Sequence, residues 1–313
     1  MNFNKQFSFK PVVANSRKLG RFDKFIIAGM GGSHLAADLL PLICPGADVS
    51  VYKEYGFSRS ASDALFIASS YSGNTEETID AFIAAGKAKF NRAVMASGGK
   101  LLEIAKSSGV PYVQLPSAGI QPRMAVGYGL TALLALMRKN SDLRRVAHLA
   151  SALSPQKLEK QGRELSEKLK GSIPVIYSSS RNAALACNWK IKFNETGKVP
   201  AFCNVLPELN HNEMTGFDFN DYSKKLSDKF HFIFLKDASD HPRVIKRMDI
   251  LETLLSKRGF PVEVVAVKES DACLSVFFSL ILADWTAYYT ALANHADPES
   301  VPMVEEFKKL MLS

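Results

Sequence analysis

The sequence lacks the signals of several protein classes. It has no apolar run that approaches the roughly 20 residues of a membrane-spanning helix, and residues 1–10 are polar, without the hydrophobic core of a signal peptide. A hydrophobic content of 47% excludes a disordered chain. We therefore expect a globular, cytoplasmic protein, and 313 residues are enough for two domains with full cores.

Cysteine is scarce, and no CxxC pair is present. The four cysteines lie far apart along the chain, each in or beside an apolar segment; they are Cys44, Cys187, Cys203 and Cys273. Zinc and redox sites are commonly marked by closely spaced cysteine pairs, so this spacing argues against both. We expect buried, reduced thiols, in keeping with a reducing compartment, and no bound metal.

Long basic tracts interleaved with aromatic residues are also absent. Lys and Arg number 39 against 31 acidic residues, a net charge of +8, but the basic residues alternate with acidic ones, as in 157–160 and 164–170. Such alternation is typical of a solvated helix surface. We therefore expect no nucleic-acid partner and favour a small anionic ligand, which a modest positive field would concentrate.

The dinucleotide fingerprint GxGxxG is missing, although a glycine-rich turn is present. The apolar run 25–28 leads into Gly29-Met30-Gly31-Gly32-Ser33, and a helical pattern begins at Leu35. His34 stands where the third glycine of the fingerprint would fall. A nicotinamide cofactor is thus disfavoured, and we expect no organic cofactor.

A second turn is rich in hydroxyl groups. The apolar run 66–69 ends in Ser70-Tyr71-Ser72-Gly73-Asn74-Thr75, and an acidic first turn then opens a helix. Backbone N–H groups and the positive end of the helix dipole meet there, and Ser70, Ser72 and Thr75 add hydroxyl donors. The turn predicts a phosphate-binding site; the alternative is an ordinary capped turn between a strand and a helix.

Strands alternate with helices along the whole chain. This alternation predicts an α/β protein with parallel sheets covered by helices on both faces, and ligands of such sheets bind at the carboxyl ends of the strands. The second half repeats the order of strand, small-residue turn and helix, which suggests a duplication. We expect an N-terminal segment at 1–20 and domains at 21–140 and 141–313. Strands are predicted at 25–28, 49–52, 66–69, 92–96, 112–115, 173–177, 202–206, 230–235 and 262–267.

Three polar residues outside these turns are candidates for chemistry. Arg123 opens an apolar helix at 124–137, where a cation opposes the helix dipole unless an anion compensates it; the alternative is a surface arginine. Glu195 follows the helix 183–193, with Gly197 as the expected C-cap, and is either a proton shuttle or a solvated carboxylate. His211 lies in the polar loop 207–213, and histidine is suited to acid and base roles.

These motifs together resemble the sugar isomerase (SIS) proteins, and among them the bifunctional phosphoglucose/phosphomannose isomerases. The resemblance extends from about Phe25 to the C-terminus. The matching motifs are Gly29-Met30-Gly31-Gly32-Ser33, Ser70-Tyr71-Ser72-Gly73-Asn74-Thr75, Pro122-Arg123, Phe193-Asn194-Glu195, and Leu206-Pro207-Glu208 through His211-Asn212. The fold that it implies is two SIS subdomains, each a flavodoxin-like sandwich.

The resemblance also implies a reaction and a set of roles. The reaction is the interconversion of glucose 6-phosphate and fructose 6-phosphate, with mannose 6-phosphate as a further substrate, through a cis-enediol and without a cofactor. Glu195 would be the base, Arg123 would stabilise the enediolate, and His211 would enter from the second subunit of a homodimer to assist ring opening together with Lys308. The residues that would hold the substrate phosphate are Gly32, Ser33, Ser70, Ser72 and Thr75.

The chain departs from the family pattern at a few positions. His34 replaces a glycine, and Val301 stands where the bifunctional enzymes have a threonine associated with the mannose epimer. A register shift of one residue would select Lys309 in place of Lys308. Two other functions remain open: a non-catalytic SIS module that senses a phosphosugar, and an isomerase or deglycase for another sugar phosphate or amino-sugar phosphate.

Overall fold

A computed structural model of the protein describes residues 2–58, 63–267 and 271–311. The chain forms two compact units, residues 1–154 and 155–313. Each unit is built on one sheet with helices packed against it. The expected α/β architecture of parallel strands and covering helices is confirmed.

The first unit contains a six-stranded sheet in the order β1-β6-β5-β4-β2-β3. All neighbouring strands are parallel except β1, which pairs antiparallel with β6. The strands are β1 (Val13–Ala14), β2 (Lys24–Ala28), β3 (Asp48–Tyr52), β4 (Ala64–Ser69), β5 (Asn91–Ala96) and β6 (Tyr112–Gln114). The helices of this unit are α1 (Leu35–Asp38), α2 (Leu40–Ile43), α3 (Glu76–Lys87), α4 (Gly99–Ser108), α5 (Val126–Leu136), α6 (Asn140–Ala147) and α7 (Leu149–Ala152).

The second unit contains a four-stranded parallel sheet in the order β10-β9-β7-β8. Its strands are β7 (Ile173–Ser179), β8 (Phe202–Leu206), β9 (Phe230–Asp237) and β10 (Val262–Val267). Its helices are α8 (Glu159–Lys168), α9 (Ala183–Lys192), α10 (Lys224–Ser227), α11 (Pro242–Lys257), α12 (Ala272–Ala293) and α13 (Pro302–Met311).

The central strands of both sheets are buried because their sequences are continuously apolar. All six residues of β4 are buried, and this strand packs under α3 through Phe66 and Phe82. In the second unit, Phe232 and Phe234 of β9 pack with Met248 of α11. Burial on both faces holds the strand ends, and hence the turns that follow them, in fixed positions.

The longest helix of the described residues is apolar over most of its length. Helix α12 is long and apolar enough to cross a membrane, yet 72% of its apolar 18-residue stretch is buried inside the structure. Polar residues interrupt the sequence of α12, so it contains no uninterrupted apolar run of this length. One of them, Asp284, is buried in an ion pair with Lys192 of α9. The contacts of α12 with α8 and α9 identify it as a core helix of the second unit.

Candidate active site

The two predicted phosphate turns lie side by side in the first unit. Strands β2 and β4 are neighbours, with Ala28 paired to Ala68 at their carboxyl ends. The chain leaves β2 toward β3 on one side and leaves β4 toward β5 on the other. The two turns therefore meet where the strand order reverses, which is the usual ligand position in an open α/β sheet.

Hydrogen bonds join the two turns directly. The Ser69 hydroxyl donates to the Ser33 carbonyl oxygen at 2.6 Å, and the Tyr71 amide donates to Ser33 Oγ at 2.9 Å. A Cβ atom at Gly29 would lie 2.8 Å from the Ser69 carbonyl oxygen, so only glycine allows this approach. Ser33 is thus held against the loop that carries Ser70 and Ser72.

Within the second turn, side chains organise the loop and do not cap the helix. Ser70 Oγ lies 2.9 Å from Thr75 Oγ1 and accepts from the Gly73 amide at 3.1 Å, while Ser72 Oγ accepts from the Asn74 amide at 3.3 Å. Thr75 is the N-cap of α3 but makes no side-chain cap hydrogen bond. The first-turn N–H groups of α3 are therefore not used by a cap, as an anion site requires.

The third turn, after β5, supports the second from the other side. Gly73 has φ +74°, and a Cβ atom there would lie only 1.8 Å from the Gly98 carbonyl oxygen. The Leu101 amide donates to the Gly73 carbonyl at 2.8 Å, and the Lys100 amide donates to Asn74 Oδ1 at 3.0 Å. These contacts restrict the conformation of the phosphate turn.

Arg123 is buried beside the first turn, which excludes the surface alternative. It is 2% exposed and lies in the 3-10 turn Pro122–Met124. A Cβ atom at Gly32 would come within 2.3 Å of the Arg123 backbone nitrogen. The expected helix begins at Val126, later than predicted, because this 3-10 turn precedes it. Gly32 and Arg123 are thus direct neighbours in the fold.

The N-terminal segment contributes to the same region, which the sequence did not indicate. Gln6, 5% exposed, donates from Nε2 to the Met124 carbonyl at 2.7 Å. Its Oε1 accepts from the amides of Gly127 and Tyr128 at 3.0 and 3.3 Å. Gln6 therefore satisfies backbone groups at the start of α5, directly after Arg123, in the role of a long-range cap.

His34 borders the first turn as expected from its position. Its Nδ1 lies 2.7 Å from Asp38 Oδ2, and the ring is 7% exposed. Asp38 also accepts from Lys53 at 3.3 Å. The imidazole is therefore fixed against α1 by a carboxylate one helical turn away.

In the second unit, Glu195 lies on a π-helix that continues α9. This π-helix spans Phe193–Gly197, and Glu195 is half-buried. The left-handed residue that ends it is Lys198, with φ 56°, so the expected C-cap at Gly197 is wrong by one position. The wider π turn accommodates an additional residue before the chain reverses. π-Helical turns of this kind are frequent at functional sites.

Lys198 connects the Glu195 turn to the segment before the last helix. Its ammonium donates to the Glu195 carbonyl at 2.5 Å and also to the Ser300 carbonyl. The Asp297 carboxylate accepts from the amides of Glu299 and Ser300, and these hydrogen bonds lower the pKa of Asp297. The segment that carries Val301 is therefore hydrogen-bonded to the turn of Glu195.

The other two candidates of the second unit are exposed. His211 ends the 3-10 turn Glu208–His211, which occupies part of the expected polar loop. Lys308 is on α13 and pairs with Glu305 at 2.7 Å; Lys309 follows it on the same exposed helix. The choice between Lys308 and Lys309 stays a prediction.

The switch point of the second sheet has a different chemistry. Strands β7 and β9 are neighbours there, and Asp240 accepts from the Ser179 hydroxyl at 2.8 Å. Asn182 Nδ2 donates to Asp237 at 3.1 Å, and Arg181 pairs with Asp237 at 3.3 Å. Burial raises the pKa of Asp240. Two carboxylates at this point disfavour an anion, so the repeated turn does not form a second phosphate cradle.

Comparison with known proteins identifies the family. A bifunctional phosphoglucose/phosphomannose isomerase of Thermoplasma volcanium is 35% identical over 298 residues, which cover 94% of this chain and 93% of the relative. The chain belongs to the bifunctional phosphoglucose/phosphomannose isomerases. A family member from Aquifex aeolicus is 31% identical over 313 residues, covering 98% of this chain and 95% of that protein.

Two further comparisons agree with this family. The model of the bacterial phospho-glucose isomerase C-terminal SIS domain matches residues 158–311, almost the whole second unit. The solved tagatose-6-phosphate ketose/aldose isomerase of Escherichia coli superposes with a TM-score of 0.67 at 16% identity, covering 91% of this chain and 87% of that one. This likeness supports the SIS fold, and the resemblance noted in the sequence is confirmed.

Proposed function

We propose that the protein is an aldose–ketose isomerase that interconverts glucose 6-phosphate and fructose 6-phosphate, and that it also accepts mannose 6-phosphate. The observation that carries this proposal is the pair of interlocked turns at the switch point of the first sheet, with buried Arg123 against Gly32. Donor groups without fixed negative charge are suited to a phosphate, and family membership points to hexose phosphates.

The phosphate contacts are assigned to the first unit. The N–H groups at the start of α3 and the hydroxyl groups of the two turns bind the dianionic phosphate of the open-chain sugar. These contacts are the same in aldose and ketose, so they contribute uniform binding energy and orientation. The residues assigned to this role are Gly32, Ser33, Ser70, Ser72 and Thr75.

The proton transfer is assigned to Glu195. The substrate carbonyl makes the adjacent C–H acidic, and the Glu195 carboxylate removes the C2 proton of the aldose and returns it to C1. The intermediate is a cis-enediolate, whose negative oxygen the Arg123 guanidinium stabilises. A fixed cation at this oxygen also disfavours elimination of phosphate. The carbonyl and the cation supply the activation, so no cofactor enters the scheme.

Ring opening is assigned to the partner subunit's His211 together with Lys308. We propose a homodimer in which each subunit provides its histidine to the site of the other. Two features of the second unit support this assembly: His211 is exposed, and so is the apolar face of α13, where Met303 is 82% and Phe307 61% exposed. Exposed apolar faces of this kind mark interaction surfaces.

The proposal is tested by assaying the purified protein with fructose 6-phosphate, mannose 6-phosphate and glucosamine 6-phosphate in parallel. We expect turnover of fructose 6-phosphate, slower turnover of mannose 6-phosphate because Val301 replaces the family's threonine, and none of glucosamine 6-phosphate. Glu195→Gln should lower kcat by about 10² to 10⁴-fold, the usual contribution of a general base.

Glu164→Gln, on an exposed position of α8, is the matched control and should keep full activity. Phosphosugar binding without turnover in the wild type would instead indicate a sensing module. Unchanged kcat in Glu195→Gln would refute the role of this carboxylate.

A further inference from the structure

Two of the four cysteines, distant in sequence, are adjacent in the second unit. Cys187 lies on α9 and Cys203 on β8, and their thiols are hydrogen-bonded to each other. Both are partly exposed, whereas Cys44 and Cys273 are buried. The expectation of buried thiols is therefore wrong for this pair.

Mutual contact and partial exposure distinguish this pair from the other two thiols. The Cys44 thiol donates to Asp142 Oδ2 at 3.2 Å, and burial with this carboxylate raises the pKa of Cys44 to about 11. The hydrogen bond to Cys187 and burial raise the pKa of Cys203. The thiolate is the reactive form of cysteine, and the contact between the two thiols lets the second react as soon as the first is oxidised.

The two cysteines lie on the elements that lead to the proposed catalytic residues. Helix α9 continues without a break into the π-helix of Glu195. Strand β8 leads through Pro207 into the 3-10 turn of His211. Cys203 is on β8, which stands at the edge of the sheet as the structure describes it and pairs with β7. A covalent link between α9 and β8 would therefore act on both catalytic segments.

We propose that Cys187 and Cys203 are an oxidation site that a peroxide converts into an intramolecular disulfide. The thiolate of one cysteine attacks one peroxide oxygen, the O–O bond breaks, and hydroxide leaves as water after taking up the thiol proton. The sulfur of the other cysteine then attacks this sulfenic acid, the S–O bond breaks, and a second water leaves. In sum, two thiols lose two electrons and hydrogen peroxide is reduced to two waters.

Formation of this bond should lower isomerase activity, a consequence that rests on the proposed function. The S–S bond of about 2.05 Å is shorter than any hydrogen-bonded contact between two sulfur atoms, so its formation draws the two side chains together and ties α9 covalently to β8. A displacement of about 1 Å at a catalytic group can reduce the rate by about 10²-fold. We expect at least a tenfold loss of kcat, reversed by dithiothreitol.

The experiment treats the purified full-length protein with hydrogen peroxide, counts free thiols, and maps peptides by mass spectrometry with and without dithiothreitol. We expect loss of two thiols, a peptide pair joined through Cys187 and Cys203, and full reversal on reduction. Cys187→Ser and Cys203→Ser should each abolish the bridge and the reversible loss of activity, whereas Cys44→Ser and Cys273→Ser should retain both.

The mapping of the bridge does not depend on catalysis. The proposal is overturned if the wild-type protein keeps four free thiols, forms only over-oxidised cysteines, or joins another pair of cysteines. This outcome is measured on the wild-type protein alone, without a serine variant. If the bridge forms but the reduced protein has no isomerase activity, the proposed function fails and the oxidation site stands.

Discussion

At the scale of single residues, the candidate site depends on positions that accept only the smallest side chain. Gly32 faces the backbone of Arg123, and Gly29 faces Ser69. These glycines allow two turns and a buried cation to occupy a small volume. Arg123 is 2% exposed, and its backbone lies against the first turn because Gly32 has no side chain.

Gly32→Ala should impair activity more than folding. Its new Cβ would lie 2.3 Å from the Arg123 backbone nitrogen and must displace the Pro122–Met124 turn, at a cost of about 1–3 kcal/mol in the free energy of unfolding. We expect kcat to fall by about 10²-fold. Steady-state kinetics and urea denaturation measure the two effects. Gly46→Ala is the control, because a Cβ at Gly46 meets no atom within 4 Å. Equal kinetics in the two variants would contradict a role in catalysis for the contact between Gly32 and Arg123.

His231 should make stability depend on pH. It is 3% exposed on β9, with Nε2 3.9 Å from Glu263 Oε1, and burial lowers its pKa from 6.5. The folded protein therefore binds this proton less readily than the unfolded chain does. Its contribution to stability is complete above pH 6.5 and is lost as the pH falls through 6.5 toward the folded-state pKa.

Urea denaturation at pH 7.5 and 5.5 tests this behaviour. His231→Gln should reduce the loss of stability on acidification, while His148→Gln, at an exposed histidine, should behave as wild type. The same pH dependence in wild type and His231→Gln would assign the effect to other groups.

At the scale of elements, the turns and helix ends carry the chemistry, and remote side chains shape them. The 3-10 turn before α5 is stabilised by Gln6 from the start of the chain. The π-helix after α9 ends at Lys198, which donates to the carbonyls of Glu195 and Ser300. In both cases a side chain satisfies backbone groups that the helix itself leaves unpaired.

Gln6→Ala should therefore affect the start of α5. The variant loses its bond to the Met124 carbonyl and leaves the amides of Gly127 and Tyr128 without this acceptor, at a cost of about 1–3 kcal/mol. We expect reduced stability in urea and a lower kcat, because Arg123 precedes this helix. Lys5→Ala, exposed in the same turn of the chain, should change neither. A Gln6→Ala enzyme with wild-type stability would show that the cap is dispensable.

At the scale of the whole molecule, two sheets with similar turns have different charge at their switch points. The first has hydroxyl and amide donors, and the second has Asp237 and Asp240. The described part of the chain therefore offers a predicted phosphate cradle at the first sheet and not at the second. The roles of base and ring-opening acid are proposed for the second unit, and the proposed homodimer would combine residues of two chains in each site.

Mixing two inactive variants tests this assembly. In a homodimer that shares His211 between subunits, Glu195→Gln and His211→Ala chains form heterodimers in which one site has both wild-type residues. Random exchange of subunits should restore about a quarter of wild-type activity. The measurement is kcat after unfolding and refolding the mixture, with each variant refolded alone as control. Recovery no greater than the sum of the separate variants would exclude a shared site.

The alternation of apolar runs and polar turns in the sequence was sufficient to predict the α/β fold, its strands except the short β1, and the donor-rich loops after β2 and β4. These features depend on residues close together in the chain, which is why they can be predicted without tertiary structure. The motifs also identified the family. By contrast, only the tertiary structure showed the cap from Gln6, the burial of α12 around Asp284 and the contact between Cys187 and Cys203. These depend on packing between distant segments, and no local pattern in the sequence specifies which distant side chains become neighbours.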